Sequence, residues 1–457
     1  MTKLDVYLEA CQEPIGELSS DPDGNISFRY RVDTLPHPIS ASLPLREEPY
    51  GDVESRGYFS NLLFENEMRD QVMQRYGIEE RDIVGLLYHL GTDCPGSISC
   101  VPTGAPPGKR PGNLEVDYEA FDGGPAVPED YTADRLALDP LPVSPDGELG
   151  RIMKSLRDHR KLPKDNIKDP SPLAGVQGKV ALTRLPDGRL GLPREGSGAP
   201  TTHILKVPSA ASMNSVPREH LAMGLMACVQ GYPVARTRIL GEGDLRGLLI
   251  ERFDRRIDGI HVHRIHQEDF CQALGLGHRL KYERNGESDR LFNAQAIGRL
   301  LRLAAAPGAA RQAFFEITIA NMLLGNSDNH AKNHAFLYRG KKPELAPAYD
   351  IDPVLLDDVN HEMSFQLGKA RMADDVTHDD LTEFCRALGY RSLTSPLLKR
   401  VKELVIDLTD KTTELPRPSG KRLADVILQQ SHHLSENLDL GVGPFEFDTV
   451  PVNRPDD

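Results

Sequence analysis

Residues 325 to 333 read Gly325-Asn326-Ser327-Asp328-Asn329-His330-Ala331-Lys332-Asn333, and a second acid, Asp350, follows in the segment Tyr349-Asp350-Ile351-Asp352. Phosphoryl transfer from Mg-ATP requires one carboxylate to orient a hydroxyl and two oxygen ligands to hold metal. Set five positions apart, Asp328 and Asn333 meet that requirement on a loop that bends around the ion: the acid faces the acceptor and the amide oxygen ligates Mg2+. Asp350 then supplies the charged oxygen that bridges the metal to the phosphates. The plainer alternative is a polar turn, since Asn and Asp favour turns through local hydrogen bonds.

Upstream stand further parts of the same kit. Ala174-Gly175-Val176-Gln177-Gly178-Lys179 has the look of a phosphate loop, but Leu173 and Val180 break the Walker A pattern; Gly175 and Gly178 still allow backbone amides to approach phosphates, or form an ordinary turn before a strand. Lys206, after Ile204 and Leu205 on a predicted strand, projects from a sheet toward phosphates. Glu219, thirteen residues on and near the start of a predicted helix, can anchor it by an ion pair; taken singly, both read as solvated surface charges. Glu251-Arg252-Phe253-Asp254-Arg255 closes an apolar strand placed to join two lobes, with backbone groups offered to adenine and an apolar side chain beside it. His330 and His334 share a helical face in principle, yet His-Ala-Lys-Asn-His lacks the metalloprotease Glu and a third zinc ligand. The order of the parts is more telling than any member.

A chain of 457 residues calls for two or three subdomains. The net charge of −14 argues against a protein that wraps nucleic acid by itself. Cys11, Cys94, Cys100, Cys228, Cys271 and Cys385 form no CxxC pair and read as reduced thiols in a cytosolic protein. Neither a signal segment nor a spanning apolar run is expected, so no membrane association is either.

Alternation at Leu4, Val6, Leu8 and at Ile26, Phe28, Tyr30 around Asp21-Pro22-Asp23-Gly24 predicts a β-rich start. From Tyr58 the pattern turns helical, over Asn61–Tyr76 and Glu79–Leu90, giving a small α+β accessory subdomain over 1–102. Residues 103–170, dense in Pro, Gly and Asp, read as a linker and connecting segment with a short helix near 147–160. A nucleotide-binding lobe spans 171–258, with strands 179–183, 190–192, 203–207 and 247–253 and a helix over 217–228. Residues 259–440 read as a helical catalytic lobe with short strands near 335–338; Thr377 and Asp380 fit a capping box ahead of Leu381, Phe384, Cys385 and Leu388. The last segment, 441–457, reads as a flexible tail.

In its motifs the chain resembles the HipA family of serine/threonine kinase toxins. The resemblance rests on Leu4-Asp5-Val6-Tyr7-Leu8, Tyr58-Phe59-Ser60-Asn61-Leu62-Leu63, Asp93-Cys94-Pro95-Gly96-Ser97, the 174–179 loop, Ile204-Leu205-Lys206, Ile250–Arg255, Gln267–Gly275, Leu324–His334 and Leu345–Asp350. It implies an α+β, two-lobed protein-kinase-like fold with an N-terminal accessory subdomain and a helical C-terminal lobe. By position it implies Asp328 as catalytic base and Asn333 and Asp350 on Mg2+. Around ATP it implies Gly175, Val176, Gln177, Lys179 and Lys206 at the phosphates, Glu251 and Phe253 about the adenine, and His330 and Tyr349 in the nucleotide pocket. A HipB-type helix-turn-helix antitoxin that carries the operator DNA contact is the implied partner, and an aminoacyl-tRNA synthetase the implied substrate, with translation arrest as the outcome. One departure concerns the loop: where members carry a phosphorylatable serine three places before its glycine, this chain has Pro172, with Ser171 one place earlier as a weak autophosphorylation candidate.

Two other readings remain open at this level. A non-catalytic co-repressor working with its antitoxin has no electrostatic need for Lys206, Asp328, Asn333 and Asp350 together. A kinase of small metabolites would use the same residues.

Overall fold

In the computed structural model, residues 2–9, 11–63, 73–130, 135–163, 178–229 and 231–455 are described. The alternation at the start of the chain buries Leu4, Val6 and Leu8 along β1 (Lys3–Leu8). With β2 (Gly16–Ser20), β3 (Ile26–Tyr30) and β4 (Ile98–Pro102) it forms an antiparallel sheet in the order β3-β2-β1-β4. Helices Asp52–Phe59 and Ile83–Leu90 close over it. The first begins earlier than the apolar spacing indicates, because Glu54 reaches back to the Gly51 N–H at 3.0 Å and Asp52 accepts from the Ile26 N–H at 2.8 Å. Phe28, Tyr50 and Phe59 fill the core, each contributing about 1.5–3 kcal/mol by leaving water.

The next sheet has six strands in the order β10-β11-β9-β7-β8-β6, built from β6 (Tyr118–Ala120), β7 (Gly178–Arg184), β8 (Leu190–Pro193), β9 (His203–Val207), β10 (Thr237–Leu240) and β11 (Gly247–Glu251). Period-two alternation gives it two faces. Val180, Leu182, Leu205 and Val207 pack with Leu149, Ile152, Met153 and Leu156 of helix Glu148–His159. Residue 206 points the opposite way, toward helix Ser215–Val229, whose Val216 packs with Ile239 and Leu248.

The expected linker at 103–170 needs correction for its described part. Tyr118–Ala120 is an edge strand of that sheet, and β5 (Gly112–Asn113) pairs with β13 (His261–Arg264), which in turn pairs with β12 (Arg255–Asp258). The Tyr118 hydroxyl donates to the Pro200 carbonyl at 2.7 Å, and buried Lys109 donates to the Gly96 carbonyl at 2.9 Å. Its Pro and Gly residues serve turns between very short strands, which carry too few residues for alternation to register.

The last 170 residues are mainly helical: Ala294–Leu301, Pro307–Leu323, His378–Leu388, Ser395–Lys411 and Lys421–Asn437 share one core that includes Phe314, Phe315 and Phe384. The capping box at Thr377 and Asp380 is present, and Leu381, Phe384, Cys385 and Leu388 are buried. Against this core lies a small antiparallel sheet of β14 (His266–Asp269), β15 (Ala335–Tyr338) and β16 (Glu344–Leu345).

The expectation of a flexible tail over 441–457 is overturned for residues 441–455. Gln429 donates to the Val450 carbonyl (2.9 Å) and accepts from its N–H (2.7 Å), and Arg454 pairs with Asp374 and Asp375 (2.8 and 2.7 Å). Val450 is buried with Leu355 and Val426. This segment is an extended strap tied by side chains rather than by a backbone ladder, and so has no periodicity to read. Among the described residues no helix is long and apolar enough to cross a membrane.

Candidate active site

Lys206 lies on β9 with Lys179 of β7 directly opposite, so both project from the same sheet face. The Lys206 Nζ donates to Glu219 Oε2 at 2.6 Å and to Asp350 Oδ1 at 3.0 Å, tying sheet, helix Ser215–Val229 and the helical lobe to one ammonium. The lysine and Glu219 side chains are 6% and 2% exposed, whereas Asp350 keeps 34%. Burial alone would lower the lysine's pKa, but the Asp350 and Glu219 carboxylates outweigh it and hold the ammonium protonated. Burial acts against ionisation of Asp350 too, and Lys206 and then Lys179 reverse it, keeping that carboxylate ionised.

Asp350 reaches this place through a hairpin. Phe336 pairs with Leu345 and Leu337 with Glu344, a register that carried outward sets residue 348 opposite residue 333. The metal-motif residues, distant in sequence, therefore leave the same end of β15 and β16. Asp350 has a φ of +56°, a left-handed conformation that Asp tolerates better than most residues. The Asn326 side chain donates to its carbonyl at 3.5 Å.

The polar run itself is a loop ended by a single 3-10 turn, Ala331–Asn333. Gly325, at φ +72°, begins it where a Cβ would stand 2.5 Å from Val426 Cγ1, so no larger residue fits. Asn333 Nδ2 donates to the Asp328 carbonyl at 2.9 Å, which turns the amide oxygen the other way. Asp328 Oδ1 accepts from the Tyr282 hydroxyl at 2.7 Å. Burial raises the Asp328 pKa, the Tyr282 hydrogen bond opposes the rise, and the charge on Asp350 adds to it.

Of the residues expected around a nucleotide, Phe253 and Tyr349 meet, with ring centroids 5.2 Å apart, and the Tyr349 hydroxyl donates to the Lys332 carbonyl at 2.6 Å. His330 sits edge-on to Tyr282 at 5.2 Å; burial lowers its pKa to about 3, so it is neutral, and among the described residues its Nδ1 has no hydrogen-bond partner. The Glu251 side chain pairs with Arg236 at 3.2 Å. His334 is a core residue, 4.7 Å from the Phe314 ring and neutral, with a pKa lowered to about 3 by burial. Gly175, Val176, Gln177 and Ser171 lie outside the described residues.

Two residues of the site escape sequence reasoning. Tyr282 belongs to no motif and reaches Asp328 from 46 positions away. Asp352, visible in Asp350-Ile351-Asp352, is partly buried, and desolvation followed by the charge of Glu219 raises its pKa to about 7. Among the described residues its Oδ1 and Glu219 Oε1 have no hydrogen-bond partner, the Arg218 guanidinium standing 3.8 Å from the former.

A sheet lysine paired to a helix glutamate, with a separate helical lobe presenting Asp328, Asn333 and Asp350, defines a protein-kinase-like molecule of two lobes. Residues 4–101 match the HipA N-terminal domain and residues 171–413 the HipA-like C-terminal domain. The Sinorhizobium fredii protein Y4mE is 33% identical over 412 residues, covering 88% of each chain. The serine/threonine-protein kinase toxin HipA of Shewanella oneidensis is 29% identical over 404 residues, 85% of this chain and 84% of that one. The solved structure of Shewanella oneidensis HipA with HipB and operator DNA superposes with a TM-score of 0.72 at 23% identity, over 95% of this chain and 96% of that one. The chain belongs to the HipA family and is a protein kinase.

Proposed function

We propose that this kinase transfers the γ-phosphoryl group of Mg-ATP to a serine or threonine of a cytosolic protein. The carrying observation is Lys206 held between Glu219 and Asp350, with Asp350 emerging beside the Asp328–Asn333 loop. Asp328 is the base that orients the acceptor hydroxyl, its proton affinity raised by burial for that task. Asn333 and Asp350 offer hard oxygen donors, the chemistry Mg2+ selects, with Asp350 already ionised. Bound Mg2+ supplies charge neutralisation across the phosphates. Lys206 and Lys179 share a sheet face and carry the cationic side of the site; Gly175, Val176 and Gln177 complete a phosphate loop. Phe253, Tyr349, His330 and the strand end at Glu251 form the purine end. A match to HipA over most of the chain supports a HipB-like helix-turn-helix antitoxin as partner, operator DNA being engaged mainly through it. The favoured substrate is an aminoacyl-tRNA synthetase, whose modification arrests translation and growth. Ser171 is retained as a weak site of autophosphorylation.

Incubation of a cytosolic extract with labelled ATP, Mg2+ and either wild type or Asp328→Ala tests this reading. Wild type labels a discrete protein target and the variant does not. Equal labelling by both removes the catalytic assignment, and nucleotide binding without any transfer favours the co-repressor reading.

A further inference from the structure

The N-terminal subdomain reaches into the catalytic loop. Asn61, 3% exposed and directly after helix Asp52–Phe59, accepts from Lys332 Nζ at 3.1 Å through its Oδ1. Its Nδ2 donates to the Gly57 carbonyl at 2.7 Å and the Leu276 carbonyl at 2.8 Å, so both halves of the amide are used and its orientation is fixed. Lys332 also donates to Asp269 Oδ2 at 2.8 Å. Its own carbonyl receives the Tyr349 hydroxyl. Lys332 immediately precedes Asn333, and Tyr349 immediately precedes Asp350.

The surface carrying Asn61 is seated closely. A Cβ on Gly57 would lie 2.2 Å from the Gly275 carbonyl oxygen, so the two backbones touch where only glycine fits. Ser42 donates to the Gln272 carbonyl at 2.7 Å, and Ser40 and the Ala41 N–H bond Glu268.

We infer that Asn61 is a positioning residue for phosphoryl transfer: from another subdomain it fixes the Lys332 ammonium, and through Lys332, whose carbonyl takes the Tyr349 hydroxyl, the backbone that leads into Asn333 and Asp350. The inference rests on the kinase reading of that loop. Residues that hold a site within about 0.5 Å of its productive geometry act through such supporting contacts. The N-terminal subdomain is then part of the catalytic apparatus as well as an accessory to it.

The experiment compares Asn61→Ala with Ser42→Ala, which loosens the same interface without touching Lys332. In Asn61→Ala, kcat for phosphoryl transfer falls about tenfold with KM for the acceptor unchanged, and amide hydrogen exchange across residues 328–334 quickens about tenfold. Ser42→Ala stays within about twofold of wild type on both readouts. In a Lys332→Met background the further effect of Asn61→Ala disappears, because the coupling runs through that ammonium. Equal behaviour of the two single variants, or an Asn61→Ala effect that persists undiminished beside Lys332→Met, overturns the inference. The exchange arm needs no turnover: a wild type unable to transfer phosphate sinks the kinase reading, while exchange still decides whether Asn61 orders the loop.

Discussion

Lys206 carries a large local energetic consequence, because it neutralises the buried Glu219 as well as the partly exposed Asp350. Lys206→Met leaves Glu219 buried without its cation and costs roughly 3–5 kcal/mol of stability by denaturant unfolding. Adding Glu219→Gln removes the stranded charge, so the double variant recovers more than half of that loss while phosphoryl transfer stays absent. Asp328, the proposed base, is tuned in the opposite sense. Burial raises the Asp328 pKa and the Tyr282 hydroxyl holds it down. The base works ionised, so kcat declines with acidification, beginning above the ordinary carboxylate range. In Tyr282→Phe the donor is lost, the carboxylate is harder to ionise, and this acid limb moves to higher pH in a kcat profile.

At the level of elements, what could be read from sequence depended on periodicity. The apolar Ile204 and Leu205 ahead of Lys206 marked its strand, and the capping residues Thr377 and Asp380 located a helix start. The arrival of Asp350 beside Asn333 follows from the register of β15 on β16, and pairing between strands of two to four residues leaves no trace in the pattern of either. Tyr282 and Asn61 act across 46 and 271 positions from segments whose local sequence serves other ends. Glu268 of β14 is a further case: it accepts from Ser40, the Ala41 N–H and Tyr338, and joins the N-terminal subdomain to the catalytic sheet. Burial raises its pKa to about 7 against those three donors. The folded protein therefore binds this proton more tightly than the unfolded chain. Stability from this group is complete below about pH 4.5 and is lost as pH rises toward 7, on the order of a few kcal/mol. Glu268→Gln flattens that decline, as seen in unfolding midpoints compared at pH 5 and pH 7.5.

Across the whole molecule, the division into an accessory subdomain, a nucleotide lobe and a helical lobe was legible from the order of motifs, but its seams were not. The Pro/Gly-rich stretch expected to connect domains supplies an edge strand, and the terminal segment expected to be loose is packed. Both errors share a cause, since composition reports the absence of long regular elements and says nothing of side-chain ties. Deleting residues 441–457 strips Val450 from Leu355 and Val426 and lowers the thermal midpoint by several degrees, roughly what a loss of 2–4 kcal/mol does to a chain of this size. The Leu355 N–H, for its part, donates to the Gly325 carbonyl at 3.1 Å, at the head of the catalytic loop. Ribosomal synthesis delivers residues 441–455 only after every motif that they brace. A message cut short before codon 441 would thus yield a chain that carries those motifs over an unfinished underside.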